Sequence, residues 1–159
     1  MTRIVVGIDG SSSSENALRW ALEEARLRPG SSIKVVHAYR PPEPRYDTAY
    51  ADVFLDVGAM QRGMELDRGR RDEEEIHARQ GAERLLEKVL DAARTGPIDG
   101  EVELLALPDD PATCLIDLSR DADMVVVGSR GRGGFKGLLL GSVSQQCLQH
   151  ACGPVVVVR

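Results

Sequence analysis

Five short apolar runs recur along the chain, at residues 4–8, 33–38, 102–107, 124–127 and 155–158, each rich in Val, Ile or Leu and mostly continuous. A strand with one wet face alternates; a mostly continuous run marks a strand covered on both faces. The intervals between the runs carry helical periodicity. Ala17, Leu18, Ala21, Leu22 and Ala25 repeat at three-and-four spacing, with Glu15, Arg19 and Glu23 at i, i+4 outside the stripe. Ser12 and Glu15 have capping-box spacing at its start. A second amphipathic helix is expected over 72–94, burying Leu85, Leu86, Val89, Leu90 and Ala93 and stopping at Gly96-Pro97. A third begins with Asp110 as N-cap and Pro111 at the first helical position, and turns Cys114, Leu115 and Leu118 inward. A fourth starts near Ser142, with Gln145 at capping-box spacing, and ends near Gly153-Pro154. Parallel neighbours need helical crossovers, so strict strand–helix alternation predicts an α/β fold: an open parallel sheet with helices on both faces, Rossmann-like in class.

At 159 residues the chain has the size of one domain, 1–159, with enough length for a substantial core without staples. One segment breaks the alternation. Residues 41–69 open with Pro41-Pro42-Glu43-Pro44 and carry Tyr46, Tyr50, Phe54, Met60 and Met64. Too long for an ordinary connection, this segment reads as a flexible insertion, either a flap or an excursion with some helix of its own.

The N-terminal apolar run is too short and too early for a signal peptide, and no run approaches the roughly 20 apolar residues of a membrane span, so a cytoplasmic protein is expected. Cys114, Cys147 and Cys152 form neither a CxxC pair nor an even framework and read as small reduced core residues. A net charge of −5 argues against a nucleic-acid partner, which needs a broad basic face. The charge is unevenly placed, however. From Met124 to the end there is no Asp or Glu, while Arg130, Arg132, Lys136 and Arg159 are basic, a distribution that suits a small anionic ligand.

In an open parallel sheet, ligands bind beyond the carboxyl ends of the strands, where the strand order reverses. Asp9 follows the first run. After the fourth comes a stretch from Gly128 to Gly141 with six glycines in fourteen positions, a density that needs a reason because glycine loses the most backbone freedom on ordering. Close approach of backbone N–H groups to phosphate oxygens supplies one. Ser142 and the start of the fourth helix would complete the anion site, with Arg130, Arg132 and Lys136 at its rim. An Asp before Gly-Ser is also an ordinary turn residue, and Ser11 to Ser14 suit capping better than phosphate contact.

Gly128, Gly131 and, after nine intervening residues, Gly141-Ser142, together with Ile4-Val5-Val6-Gly7-Ile8-Asp9-Gly10-Ser11 and Pro154 to Val158, resemble the ATP-binding members of the universal stress protein family over nearly the whole chain. The resemblance implies a five-stranded sheet in the order 3-2-1-4-5 with the nucleotide over the ends of strands one and four. It implies ATP, together with Mg²⁺, as ligand. Asp9 would bond the nucleoside, Ala38 would offer its backbone to adenine, Val127 would line the base pocket, and Gly128 would sit by the ribose. Gly131, Gly141, Ser142 and Val143 would hold the phosphates. Arg130 stands where the family usually has a loop histidine. In that strand order 155–158 lies at a sheet edge, where an uninterrupted apolar strand invites antiparallel pairing into a homodimer.

No catalytic set is visible. His37, His77 and His150 are scattered without metal-ligand spacing and read as packed or surface residues, and neither a nucleophile elbow nor a Walker loop is present. The expected function is a regulatory ATP-binding protein of the stress response, with unknown protein partners. The alternatives are a weak ATPase or autophosphorylating protein, with Ser142 or Ser144 as acceptor, and an interaction module binding cyclic AMP or no nucleotide. A dinucleotide oxidoreductase fits worst, because the glycine loop follows the fourth strand rather than the first.

Overall fold

A computed structural model describes residues 1–43, 57–97, 100–131 and 139–159, with side chains from residue 61 onward in the second helix. Five strands, β1 (Arg3–Gly7), β2 (Ser31–Ala38), β3 (Gly100–Leu107), β4 (Met124–Gly128) and β5 (Val155–Val158), form one parallel sheet in the order β3-β2-β1-β4-β5. The helices are α1 (Ser12–Arg26), α2 (Val57–Ala93), α3 (Pro111–Leu118) and α4 (Ser142–His150), and a 3₁₀ turn, Ser119–Asp121, follows α3.

The two-residue period of a strand sends neighbours to opposite faces. Ile4, Val6, Ile33, Val35 and Val126 meet Leu18 and Leu22 of α1 and Leu86 and Val89 of α2 on one side. Val5, Val36, Val125 and Val127 meet Leu115 of α3 and Cys147 of α4 on the other. Both layers are dry, which is why the central runs carry no alternation. Fully burying one such aliphatic side chain contributes roughly 1.5–3 kcal/mol. The chain winds from β1 outward to β3, then returns to place β4 on the opposite side of β1, so the crossovers diverge between β1 and β4.

Several helix ends differ from expectation. α1 is capped by Ser11, not by Ser12 with Glu15: Ser11 has the extended backbone a cap requires, and its Oγ accepts from the Ser14 amide. The Asp9 carboxylate fixes that residue by accepting from the Ser11 amide at 2.9 Å and its hydroxyl at 2.6 Å. Gly10 makes the turn with φ +78°, which a side chain would strain. α3 has the expected cap, Asp110 Oδ1 accepting from the Ala112 and Thr113 amides, with Pro111 leading the helix. In α4 the cap is Gly141, which has no side chain to accept from the first amides, so the Ser142–Gln145 capping box does not form.

The largest departure is α2, which starts at Val57 rather than near residue 72 and runs 37 residues, about 55 Å at 1.5 Å per residue. Of the segment expected as an insertion, 57–69 thus belongs to this helix, while 44–56 lies outside the described residues. Its last turns hold Ala82, Leu86, Val89, Leu90 and Ala93 against the sheet. Its earlier turns are mostly exposed and are laced by Arg70 with Asp67 and Glu74, Arg71 with Asp67, and Arg79 with Glu83. Met1 and Met64 are exposed, while Trp20 packs partly against the core. All three cysteines are free. Cys114 and Cys147 are buried, burial pushing the Cys147 thiol up to about 11, but Cys152 is exposed and not a core residue. No helix among the described residues is long and apolar enough to cross a membrane.

The anchored and overhanging halves of α2 should respond differently to truncation. Leu86→Ala is expected to cost about 2–5 kcal/mol in urea unfolding. Leu66→Ala, at a residue 74% exposed, is expected to stay within about 0.5 kcal/mol of the parent. Equal losses would show that the first turns of α2 are packed as tightly as the last.

Candidate functional site

Where the crossovers diverge, the ends of β1, β2 and β4 and the starts of α3 and α4 enclose a cavity of about 390 Å³, within the range of small-ligand pockets. All nine residues singled out from the sequence line it: Asp9 after β1, Ala38 ending β2, Val127 and Gly128 ending β4, Arg130 and Gly131 beyond it, and Gly141, Ser142 and Val143 at the start of α4. Arg132 and Lys136 lie outside the described residues. The wall is mostly apolar, with Val36, Pro111, Leu115 and Leu140 adding to Val127 and Val143. The polar groups gather at one end.

The geometry of that end starts from Gly128. A Cβ there would fall 2.7 Å from the Ser13 carbonyl carbon and 2.8 Å from the Ser14 amide nitrogen, and backbone atoms cannot give way. Glycine lets the end of β4 lie directly on the first turn of α1. The contact is then sealed by Ser13, whose Oγ donates to the Val158 carbonyl at 3.1 Å and sits 3.4 Å from Ser129 Oγ. Ser11 Oγ lies 3.3 Å from the Arg130 carbonyl. Gly131 answers a different demand: a Cβ there would come within 2.6 Å of Asp9 Oδ2. Loop and carboxylate face each other across a gap that admits a side chain only if the Asp9 carboxylate turns away.

Gly141 has ordinary space around it, the nearest atom to a Cβ being the Gly131 nitrogen at 3.5 Å. Its role is the cap it leaves bare. The Gly141 amide donates to the Ser129 carbonyl at 2.8 Å, and the Ser144 hydroxyl turns back to the Gly141 and Ser129 carbonyls. Among the described residues no side-chain cap serves the start of α4, and the positive end of that helix faces the cavity.

Sequence reasoning missed His37. It lines the cavity, and its Nδ1 lies 2.6 Å from the Ile8 carbonyl, which can only accept; Nδ1 therefore carries the proton and the ring ties the end of β2 to the end of β1. Its signal was position, one residue before Ala38 at a strand end, and not any ligand spacing. Pro111, Leu115 and Ser14 were likewise read only for helix structure. Gly7 leaves the room Leu115 uses, since a Cβ there would fall 2.7 Å from Leu115 Cδ1.

The apolar wall suits a planar base, and the polar end suits phosphate oxygens. A Cβ-free gap at Gly131, a bare helix start and one carboxylate beside them fit a nucleotide. For Mg²⁺ the fit is partial. Among the described residues there is no group of three or more His, Cys, Asp or Glu able to hold a metal, and Asp9 is the one carboxylate lining the cavity. A magnesium ion here would rely on phosphate oxygens and water, as that ion commonly does.

The model of the universal stress protein family matches residues 1–159. The universal stress protein Rv2623 of Mycobacterium tuberculosis is 35% identical over 156 residues, covering 98% of this chain and 47% of that protein, so the chain spans about half the length of the curated relative. A universal stress protein of Archaeoglobus fulgidus superposes with a TM-score of 0.65 at 28% identity, covering 100% of this chain and 99% of the other. The Archaeoglobus fulgidus protein in complex with dAMP gives 0.61 at 25% identity, covering 100% and 98%. With its whole length matched by the family model, its sheet order 3-2-1-4-5 and its glycine-lined crevice, the chain belongs to the universal stress protein family.

Proposed function

We propose that this protein is a regulatory ATP-binding protein acting in the cytoplasmic stress response, with the nucleotide lying across the ends of β1 and β4. The observation that carries this reading is the pairing of an apolar wall with a bare helix start and a Cβ-free loop in one cavity. Adenine would lie among Val36, Leu115 and Val127 beside the backbone of Ala38. The ribose would meet Asp9 and Gly128. The phosphates would lie against Gly141 and take the backbone N–H groups of Gly131, Ser142 and Val143, with Arg130 adding charge, because amides at a helix start are fixed donors that need no reorganisation to meet an anion. The dAMP complex of the Archaeoglobus fulgidus relative supports an adenine nucleotide as the ligand class. A regulatory role is preferred over hydrolysis because the one lining carboxylate, Asp9, is held by Ser11 and assigned to the ribose.

Calorimetric titration of ATP with Mg²⁺ should show one site. Gly141→Val places a side chain at the phosphates and is expected to weaken ATP by roughly tenfold or more, about 1.4 kcal/mol. Combined with Gly131→Val it should abolish binding while far-ultraviolet dichroism stays that of the parent. An unchanged affinity in the double variant would rule out this placement. Gly128→Ala forms a contrast: its clash is with backbone, so it should lower unfolding stability by about 1–3 kcal/mol.

The same reading includes a homodimer through β5. β5 is the sheet edge, its four valines are each partly exposed, and no charge or proline interrupts them. Two copies pairing these edges antiparallel about a twofold axis would satisfy both. Sedimentation at micromolar concentration should give a dimer, and Val157→Lys a monomer; a monomeric parent would defeat the idea.

A further inference from the structure

We propose that Ser13 is a positioning residue that couples occupancy of the nucleotide crevice to the hold on the C-terminal strand; the inference rests on the nucleotide reading above. Ser13 does not line the cavity, yet from α1 its one hydroxyl reaches both β5 and the start of the loop after β4. Its Oγ donates to the Val158 carbonyl at 3.1 Å, lies 3.4 Å from Ser129 Oγ, and is 3.5 Å from the Arg130 amide, which can only donate to it. The Val158 carbonyl also accepts from the Ser129 amide at 2.6 Å. The last carbonyl of the edge strand is thus shared between α1, through Ser13, and the first residue of the glycine loop.

The contacts from Ser13 to the loop are long, while its bond to β5 is of ordinary length. A ligand held at once by Asp9, at the α1 side, and by Gly131, in the loop, pulls those two sides together and shortens the long contacts. A hydroxyl that accepts a stronger bond donates a stronger one, so the Arg130 amide moving closer to Ser13 strengthens the bond from Ser13 to Val158. Occupancy of the crevice would then tighten the end of β5 without any ligand atom touching it. Asn16 supplies the internal control. Its Nδ2 donates to the Arg159 carbonyl at 3.2 Å, tying the residue after β5 to α1 with no bond to the described residues of the loop.

The test is amide hydrogen exchange by NMR on the full chain, with and without saturating ATP and Mg²⁺. In the parent, ATP should slow the Ser129 amide and the amides of 156–159 by about threefold or more. Ser13→Ala should keep ATP affinity within about threefold by calorimetry and keep ATP-dependent protection at the Ile8 amide, yet lose the slowing at Ser129 and 156–159. Asn16→Ala should speed exchange at the end of β5 in both states and retain the ATP-dependent difference. Ser13→Cys, close in size but a weak donor, gives the same readout if the alanine variant does not fold. Slowing that survives in the Ser13 variants, or no slowing in a parent that binds ATP, would overturn the coupling. A parent that does not bind ATP would instead remove the nucleotide reading, and the coupling with it.

Discussion

The end of β4 lies on the first turn of α1 with no side chain between them, and the rest of the site follows from that contact. Gly128 permits it, because a Cβ at that position would meet the Ser13 carbonyl carbon and the Ser14 amide nitrogen below 3 Å. Separate the two elements by a methyl group and the loop after β4 no longer faces Asp9. The core alone would not enforce this spacing. Val125 and Val127 on one face and Val126 on the other fix the register of β4 beside β1, but register says nothing about how closely the turns beyond the strands approach.

Once that approach is fixed, the crevice divides by chemistry. Its apolar walls are the outer rows of the same layer that forms the α3 and α4 side of the core, so Val36, Leu115 and Val127 serve packing and cavity together. Its polar end is built almost wholly from backbone. A side-chain cap on α4 would occupy the amides that a phosphate needs, and Gly141 provides none. The chain carries a net charge of −5 but places no carboxylate after Asp123, which keeps the loop and α4 free of local repulsion toward an anion.

The strands were legible from sequence because burial on both faces leaves a compositional trace that does not depend on partners: all five runs form strands within a few residues of the expected bounds. Of the nine lining residues, Asp9 was legible through its strand-end position and Gly128, Arg130, Gly131, Gly141 and Ser142 through the glycine-rich stretch, while Ala38, Val127 and Val143 came from the family resemblance. Helix starts were harder. Ser12 with Glu15 and Ser142 with Gln145 have capping-box spacing, but the cap is set by which residue takes an extended backbone, and Asp9 bonding to Ser11 decides the first case. The first turns of α2 left no amphipathic stripe, since they are supported by pairs such as Arg70 with Glu74 and not by a core, and Gly63 and Gly69 weaken the local signal further. His37 was hidden for a related reason: its bond to the Ile8 carbonyl depends on the pairing of β1 with β2, which no spacing within β2 reveals.

The spaced glycines themselves show why a motif can be specific when its residue type is not. Gly128 is needed for an approach between two stretches of backbone, Gly131 for an approach to a carboxylate, and Gly141 gives a helix cap with no side-chain acceptor. Only the first is a condition of the fold. Gly131 faces the end of a side chain that could rotate, and Gly141 has ordinary contact distances, so alanine at either place is compatible with the sheet and its helices. A chain selected for folding alone would therefore be held to glycine at 128 and be free at 131 and 141. Glycine at all three, with no carboxylate among them, leaves the loop and the helix start open to a ligand lying against both at once, as the proposed nucleotide would.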